Sequence, residues 1–301
     1  MELDNIAVLL AAYNGKKWIK EQIDSILNQS NVNVTIYISV DRSDDDTYQI
    51  CCDLAVLDKR LIVLNYGERF GGAGRNFYRL IREVDFSDYD YVSFSDQDDI
   101  WLHDKIYNAI SEIKRNHVDG YSSNVIAFWE DGRKCLINKA QKQVAVDFMF
   151  ESAGPGCTYV LTTELCSDFK NSYLLHSSEI ESVALHDWML YAYARSKNYK
   201  WFIDANPSML YRQHANNQIG ANGSLEGILK RCKQISGKWY VNEVIKISDV
   251  LGLNNTPYVK YILSGNYIDN LALAMNVSRM RRRLRDRLAL FVFCIAGLMR
   301  K

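Results

Sequence analysis

The sequence is poor in the residues that interrupt or cross-link globular folds. Only 3 of its 301 residues are prolines, which argues against linkers and low-complexity segments, and no internal repeat is visible. The 7 cysteines are odd in number and scattered, and none forms a Cys-x-x-Cys pair. They therefore predict buried thiols in a reducing cytosol rather than a disulfide framework or a zinc site.

Net charge and long apolar runs are also missing. The formal net charge is zero, which argues against a chain that binds nucleic acid over its whole surface. The apolar run at residues 288–299 is shorter than the roughly twenty residues that span a bilayer. The N-terminus is acidic before a short apolar run, so it is a poor signal peptide and a good first strand.

Positive charge is concentrated at the C-terminus. Residues 279–301 contain eight lysines and arginines and one aspartate, so a basic tail follows an acidic body. Because this basic segment adjoins the short apolar run, it predicts an interfacial anchor on an anionic membrane. The alternative is a C-terminal helix packed on the domain or on a second subunit.

Apolar content of 48% allows a sizeable core, and in the first half its pattern alternates between strand and helix. Apolar runs at residues 6–12, 34–40, 61–64 and 91–94 predict four strands, and a segment with helical spacing follows each, the last at about residues 104–116. This alternation predicts a doubly wound α/β sheet whose loops meet at one edge.

The second half of the chain is less regular. Residues 125–129 and 134–137 predict a hairpin, and residues 158–162 predict a further strand. A helix is predicted to begin at His186, and the pattern is again helical from Leu225 onward.

Three carboxylates follow the fourth predicted strand, in the segment YVSFSDQDDIW. Asp96, Asp98 and Asp99 repel one another when ionised and are costly to desolvate. A bound cation removes that cost, because carboxylate oxygens suit Mg²⁺ or Mn²⁺, and ligands of open α/β sheets bind at the carboxyl ends of strands. The segment therefore predicts a metal–diphosphate site. The alternative is an acidic loop before an N-capped helix.

Two other loops carry side chains that suit a phosphate or sugar ligand. The segment GGAGRN is neither Gly-x-Gly-x-x-Gly nor a P-loop, and it predicts close approach of the backbone to a ligand that Arg75 or Asn76 faces. The alternative is a simple turn of the chain. Asp41 ends the second predicted strand, where ligands of such sheets bind.

Five segments occur in an order and spacing typical of one family. They are LLAAYNGKKWIKEQIDSILNQ, IYISVDRSDDDT, GGAGRNF, YVSFSDQDDIWLHDKI, and HDWMLYAYA followed by YRQHANNQIG. These segments, which cover residues 5–220, resemble inverting nucleotide-sugar glycosyltransferases of family 2, especially their rhamnosyltransferase-like branch. The second segment departs from the family pattern, because Val40 replaces a usual acid and Arg42 a usual glycine, and this leaves the nucleotide open.

The resemblance implies a GT-A fold, that is, an α/β fold with a Rossmann-like, doubly wound, mainly parallel sheet, an acceptor-side subregion and a helical C-terminal extension. Residues 1–220 would form the glycosyltransferase domain, with the nucleotide-sugar-binding half at 1–118 and the acceptor and catalytic half at 119–220. Residues 221–301 would form the helical extension with the basic and apolar tail.

The resemblance also implies roles for individual residues. Asp187 would be the general base that takes a proton from the acceptor hydroxyl, and Asp98, with Asp96 and His214, would bind Mn²⁺ or Mg²⁺. The nucleotide sugar would contact Ala11, Tyr13, Asn14, Asp41, Arg75, Asn76, Asp96 and Arg212. The acceptor would contact Trp101, Gly156, His186 and Trp188.

For several of these residues an ordinary structural interpretation stays open. His186 and Asp187 also suit a simple helix start, because Asp is a good cap. His214 also suits a polar loop position or a phosphate contact, and large aromatics such as Trp101 and Trp188 are more often packing residues.

At the level of function, the resemblance implies an inverting, metal-dependent hexosyltransferase of surface polysaccharide synthesis, such as O-antigen or capsule. The leading donor is dTDP-rhamnose, with galactose, glucose or N-acetylglucosamine from a UDP-sugar as the other candidates. The acceptor would be a glycan or a lipid-linked oligosaccharide. The enzyme would lie in the cytoplasm, peripheral at the inner face of the cell membrane, with no nucleic acid partner and with a homodimer among the options.

Two other classes of protein stay open. One is a catalytically silent nucleotide-sugar-binding or scaffolding subunit of a polysaccharide assembly complex. The other is a nucleotidyltransferase, although that class would need an N-terminal glycine-rich, basic loop, which the sequence lacks.

Overall fold

The computed structural model describes residues 3–214 and 238–301. The helix predicted from residue 225 lies outside the described residues up to position 237, as do the end of the YRQHANNQIG segment and the domain boundary predicted at residue 220. The described residues form a mixed sheet with helices on both of its faces.

The sheet has nine strands within the described part of the chain. In chain order they are β1 (Asp4–Ala12), β2 (Val32–Val40), β3 (Leu61–Val63), β4 (Tyr91–Ser95), β5 (Ile100–Trp101), β6 (Gly120–Phe128), β7 (Lys134–Ile137), β8 (Val160–Thr162) and β9 (Trp201–Arg212). Their spatial order is β3-β2-β1-β4-β8-β6-β9-β5, and β7 pairs with β6. Strands β1 to β4 are parallel, whereas β8 runs antiparallel between β4 and β6.

Helices connect these strands and continue to the C-terminus. Within the same described ranges they are α1 (Ile19–Leu27), α2 (Thr47–Leu57), α3 (Ala73–Glu83), α4 (Lys105–Asn116), α5 (Thr163–Leu175), α6 (Ser177–Glu181), α7 (His186–Ser196), α8 (Trp239–Val250), α9 (Pro257–Leu263), α10 (Tyr267–Ala274), α11 (Val277–Met280) and α12 (Leu284–Ile295). Short 3-10 helices lie at Asp147–Met149 and Gly156–Thr158.

Strand β1 is apolar on both faces, because helices cover both sides of the sheet. Ala7 and Leu9 pack into one core cluster with α3, α5 and α7, whereas Ile6, Val8 and Leu10 pack into a second cluster with α1, α2 and α4. Successive side chains of a strand point to opposite faces, so a strand that is covered twice needs a continuous apolar run.

The predicted alternation of strands and helices is confirmed, and so is the hairpin, which is β6–β7. The strand predicted from residue 158 begins at Val160, because Gly156–Thr158 turns as a 3-10 helix. The short strand β5 was not predicted, since it exists only through antiparallel pairing with β9, about a hundred residues away.

The C-terminal helices share a core with the sheet. Val244 of α8, Met280 of α11, and Leu290 and Cys294 of α12 belong to the same cluster as α3 and α7. The inward face of the tail is therefore packed on the domain, which was one of the two interpretations of its sequence. No helix within residues 3–214 and 238–301 is both long enough and apolar enough to cross a membrane.

Candidate active site

The carboxyl ends of β1, β2 and β4 lie side by side, and their loops carry most of the predicted donor-side residues. The backbone N–H of Asp41 donates to the carbonyl of Ala12 at 2.8 Å, which joins the ends of β1 and β2. The acidic segment that begins at Asp96 follows β4, the neighbour of β1 on its other side. The parallel sheet therefore brings these loops to one edge, as the sequence predicts.

Asp41 is buried and holds the glycine-rich loop. Its carboxylate accepts hydrogen bonds from the backbone N–H of Phe70 at 2.9 Å and of Gly71 at 3.0 Å. Gly71 has a φ of +75°, a conformation that favours glycine. The loop thus lies beside the end of β2, and Arg75, which follows it, is exposed on α3.

The Asn76 side chain contacts the backbone of the sheet, and its predicted contact with the nucleotide sugar stays a prediction. It is buried, and its amide nitrogen donates to the carbonyls of Ser39 at 3.0 Å and Ala12 at 3.3 Å. Its amide oxygen accepts from the hydroxyl of Ser39. Because these contacts join the ends of β1 and β2, the structure favours a structural role for Asn76.

The loop after β1 is fixed by Gln97, which was not predicted as a site residue. The Gln97 side chain accepts from the backbone N–H of Tyr13 at 2.7 Å and donates to the carbonyl of Tyr13 at 2.6 Å. The Tyr13 side chain is 42% exposed, whereas Ala11 is buried at the end of β1. The Asn14 side chain accepts from the backbone N–H of Asp44 at 2.8 Å, so it joins two loops.

The acidic segment gathers charge at the edge of the sheet. Burial, and then the charges of Asp98 and Asp187, raise the pKa of Asp96 to about 7. Such coupling requires the three carboxylates to lie near one another. The Asp98 carboxylate contacts His214 Nε2 at 2.6 Å, and the His214 ring stacks on Trp18 with centroids 4.4 Å apart.

The donor atoms in this cluster suit a hard divalent cation. Ligand atoms of Asp96, Asp99 and Cys157 lie within 4.8 Å of one another. Within the described residues, Asp99 Oδ2 is buried without a hydrogen-bond partner. Burial, followed by the charges of Asp99 and Asp96, raises the pKa of the Cys157 thiol, and sulfur is a soft ligand that suits Mg²⁺ or Mn²⁺ poorly. The carboxylates are the groups that fit the ion.

Arg212 supports the acidic segment from the end of β9. Its Nε donates to the carbonyl of Asp98 at 2.7 Å, and its backbone N–H donates to the Asp99 carboxylate at 3.0 Å. Its guanidinium also forms an ion pair with Glu21 at 2.5 Å. The predicted contact with the nucleotide sugar stays a prediction.

Asp187 lies at the start of α7, in the same neighbourhood. Its carboxylate accepts from the backbone N–H of Trp188 at 2.8 Å. Burial raises the pKa of Asp187 to about 6, although that hydrogen bond and the charge of Lys139 act in the opposite direction. A Cβ on Gly156 would lie 3.0 Å from Asp187 Cβ, so this glycine lets the chain approach the carboxylate closely.

The remaining predicted acceptor residues are mostly buried in packing contacts, and their contact with an acceptor stays a prediction. Trp101 and Trp188 are each 3% exposed, so neither indole has a face open to a sugar. Trp188 Nε1 donates to the carbonyl of Phe148 at 2.9 Å, and the Lys105 ammonium lies 3.4 Å from the Trp101 ring centroid. His186 stacks on Phe77 with centroids 3.9 Å apart, and burial lowers its pKa to about 3, which keeps the ring neutral.

Sequence reasoning missed two residues of this site, Gln97 and Cys157, and it named Asp99 without assigning it to the metal. Gln97 lies between the predicted metal ligands Asp96 and Asp98. Its long amide side chain was the local sign that it could contact a neighbouring loop. Asp99 adjoins Asp98, but nothing local indicates which of two consecutive carboxylates faces the cluster. Cys157 is far away in sequence and is brought to Asp96 and Asp99 only by the antiparallel strand β8.

The chain is similar in sequence to proteins whose family or activity is named. A family model described as "Glycosyl transferase family 2" matches residues 7–150. The dTDP-rhamnosyl transferase RfbG of Shigella flexneri is 46% identical over 96% of this chain and 100% of that protein. The Escherichia coli UDP-Glc:alpha-D-GlcNAc-diphosphoundecaprenol beta-1,3-glucosyltransferase WfaP is 27% identical over 74% of this chain and 81% of that protein.

Solved structures support the fold. Staphylococcus aureus TarS 1-349 in complex with UDP-GlcNAc has a TM-score of 0.55 and 16% identity, covering 98% of this chain and 88% of that one. The mannosyltransferase PcManGT of Pyrobaculum calidifontis, in complex with GDP-Man and Mn²⁺, has a TM-score of 0.54 and 13% identity, covering 98% and 86%. The predicted GT-A architecture is thereby confirmed.

Proposed function

The chain belongs to glycosyl transferase family 2, and we propose that it transfers L-rhamnose from dTDP-rhamnose, with inversion, to a glycan or lipid-linked oligosaccharide in surface polysaccharide synthesis. The donor rests on the 46% identity to a dTDP-rhamnosyl transferase over nearly the whole of both chains. The lipid-linked acceptor class rests on WfaP, whose name describes a diphosphoundecaprenol acceptor.

The observation that carries the proposal is that Asp187 lies beside the acidic cluster: Gly156 packs against Asp187, and the next residue, Cys157, lies with Asp96 and Asp99. A transferase needs a base beside the point at which the nucleoside diphosphate leaves. With a pKa of about 6, Asp187 is ionised at neutral pH and still basic enough to accept a proton. The neighbouring His186 is neutral and stacked on Phe77, so it does not compete with Asp187 as a charged group.

In the proposed reaction, the Asp187 carboxylate accepts the proton of an acceptor hydroxyl while that oxygen bonds to the anomeric carbon. The bond from this carbon to the diphosphate oxygen breaks on the opposite side, so the configuration inverts in a single displacement. No covalent bond to the enzyme forms. The exposed Tyr13 ring and the Asp41 end of β2 are proposed to bind the base and ribose, and Arg75 the diphosphate.

A divalent cation is part of the proposal. Asp96, together with Asp98 or Asp99, would hold Mg²⁺ or Mn²⁺, and the ion would neutralise charge on the departing diphosphate. The orphaned oxygen of Asp99 supports this, because a buried unpaired carboxylate oxygen is costly without a partner. Peripheral contact of the tail with the inner face of the cell membrane, in the cytoplasm, completes the proposal.

A donor screen tests this function. Purified protein is mixed with dTDP-rhamnose, dTDP, UDP-glucose, UDP-galactose and UDP-N-acetylglucosamine, each with and without Mn²⁺, and thermal stabilisation and release of nucleoside diphosphate are measured. We expect stabilisation by the dTDP compounds, slow release of dTDP from dTDP-rhamnose, and a requirement for the metal. A response to UDP compounds alone would overturn the proposed donor, and no response to any nucleotide would overturn the proposed function.

A further inference from the structure

Among the described residues, Lys139 is a cation without a partner, and it lies beside the proposed acceptor side of the site. Its backbone N–H donates to Asn124 at 2.6 Å, but within the same residues its ammonium forms no hydrogen bond or ion pair. A Cβ on Gly154 would lie 3.7 Å from Lys139 Cβ, so Lys139 packs against the loop that continues to Gly156 and Asp187. Burial, and then the charge of Arg281, lower the pKa of Lys139.

Two of the carboxylates near Lys139, Glu151 and Asp286, are already engaged by arginines, whereas Asp187 feels the charge of Lys139 but forms no ion pair with it among the described residues. The Glu151 carboxylate lies 3.8 Å from the Arg281 guanidinium. It also accepts a hydrogen bond from the backbone N–H of Arg282 at 2.6 Å. Asp286 lies 3.7 Å from Arg281. Within the described part of the chain no carboxylate lies within ion-pair distance of the Lys139 ammonium, and a half-buried cation near two arginines favours an anion from outside.

The helix that follows Arg281 and Arg282 presents an apolar face to the outside. On α12, Leu284, Leu288 and Val292 are 68%, 59% and 60% exposed. Their spacing of four places them on one face, opposite the buried Leu290 and Cys294. Phe291 and Ile295 of α12 and Ile268 of α10 are further exposed apolar side chains.

Basic side chains accompany this face. Arg279, Arg285 and Lys301 are exposed in the same part of the chain. Two copies of the chain docked through this face would bring their arginines together, and these repel. An anionic lipid surface attracts the same arginines, so charge complementarity favours a membrane over a second copy.

Lys139 lies near Asp187 and near Arg281, and Arg281 precedes the first residue of α12 by three positions. A polyprenyl-diphosphate-linked sugar has a reacting hydroxyl, a diphosphate and a hydrocarbon chain, in that order. We propose that Lys139, with the positive charge of Arg281, binds the diphosphate of such an acceptor, while the apolar face of α12 lies on the membrane that holds its lipid. This inference rests on the proposed transferase function and names the acceptor's binding site.

Farnesyl diphosphate is a soluble probe for the anion site. Its binding is measured by calorimetry with dTDP and Mg²⁺ present to fill the donor site. We expect Lys139→Ala to weaken binding about tenfold, which is typical of losing one charge-assisted contact, and Lys139→Arg to retain most of it. Lys59→Ala, an exposed lysine at the opposite edge of the sheet, is the matched control and should bind as the wild type does.

The affinity for dTDP, measured on the same variants, separates the two proposals. If the wild type binds dTDP but not farnesyl diphosphate, or if Lys139→Ala binds the probe unchanged, the anion site is wrong and the transferase proposal survives. If the wild type binds neither, the transferase proposal itself fails. Farnesol, which lacks the diphosphate, should bind wild type and Lys139→Ala equally, and a difference between them would contradict the assignment.

Vesicle flotation tests the apolar face. With vesicles of phosphatidylglycerol and phosphatidylethanolamine, we expect the wild type to float and the double variant Leu288→Asn, Val292→Asn to remain unbound. Val56→Asn, an exposed apolar residue of α2 at 78% exposure, is the control and should float. Equal flotation of the double variant, or a loss of a dimer in sedimentation with no change in vesicle binding, would overturn the lipid assignment.

Discussion

At the scale of single residues, Asp187 has the properties that a general base needs at neutral pH. It is half-buried next to other carboxylates, and burial raises its pKa to about 6 while the Trp188 N–H and the Lys139 charge keep it from rising further. The opposing effects leave a group that is ionised in the resting enzyme and can accept a proton during the reaction.

Asp187→Asn removes the base and keeps the shape of the side chain. We expect the turnover of dTDP-rhamnose to fall by roughly 10²–10⁴-fold, which is the usual contribution of a positioned base. The affinity for dTDP should change less than about twofold, because Asp187 is not predicted to touch the nucleotide. Steady-state kinetics and calorimetry on the same preparation check this, and unchanged turnover refutes the assignment.

The pH dependence of turnover follows from the same pKa. In the proposed reaction the ionised form of Asp187 is the active one, so we expect the rate to rise through about pH 6 and level off above pH 7. Below the midpoint, the rate should fall by about tenfold per pH unit, because only the ionised fraction reacts. A profile of kcat between pH 4.5 and 8.5 measures this, and a flat profile across pH 6 contradicts the prediction.

Residue roles were harder to predict than residue positions. Asn76 was correctly located after the glycine-rich loop, but the direction of its amide depends on the ends of β1 and β2, which no local pattern reveals. The roles of the two tryptophans were open in the sequence for a related reason. An indole can stack on a sugar or fill a core, and the burial that decides between them comes from distant helices.

At the scale of elements, the loop after β1 depends on the side chain of Gln97. Gln97→Ala removes both hydrogen bonds to Tyr13, so we expect the loop to loosen and the dissociation constant of dTDP to rise about 3–10-fold. Gln49→Ala, which removes a hydrogen bond to Asp53 on the exposed face of α2, should leave it unchanged. Equal affinities for the wild type and the Gln97 variant would show that the loop is held by other contacts.

The attachment of the C-terminal helices to the sheet depends on a buried arginine. Arg282 donates to Asp147 at 2.9 Å and to the carbonyl of Ser152 at 2.7 Å, and both charged side chains are almost fully buried. We expect Arg282→Met to lower the free energy of unfolding by about 3–5 kcal/mol, the usual cost of breaking a buried pair. Chemical denaturation measures it, with Arg285→Met, a mostly exposed arginine, as a control that should change little.

The parallel half of the sheet was predictable because each of its strands adjoins its own helix in sequence. Residues 6–12, for example, form a continuous apolar run that is needed only by a strand covered on both faces. The contacts between the C-terminal segment and the sheet domain were not predictable in this way. The bond from Arg282 to Asp147 joins residues 135 positions apart, and a tail rich in arginine gave no indication that one of them is buried.

At the scale of the whole molecule, the cation proposed for the acidic cluster would join both halves of the chain. It would be held by carboxylates that follow β4, and one of these contacts His214 after β9. Removing the ion should restore repulsion between these carboxylates. We expect EDTA to abolish turnover and the thermal stabilisation by dTDP, and added Mn²⁺ to restore both, whereas full turnover in EDTA would rule out a metal-dependent reaction.

Strand β8 is antiparallel to its neighbour β4. Its first residue therefore lies at the edge of the sheet where the loops after β1, β2 and β4 begin. The short loop before β8, which includes Gly154 and Gly156, therefore lies at that edge. It is separate in sequence from the loops that follow β1 and β2. If this loop contacts the acceptor, as we propose, acceptor preference can be exchanged independently of donor preference. Grafting this one loop between homologues should swap the sugar that is elongated and leave the choice of activated donor intact.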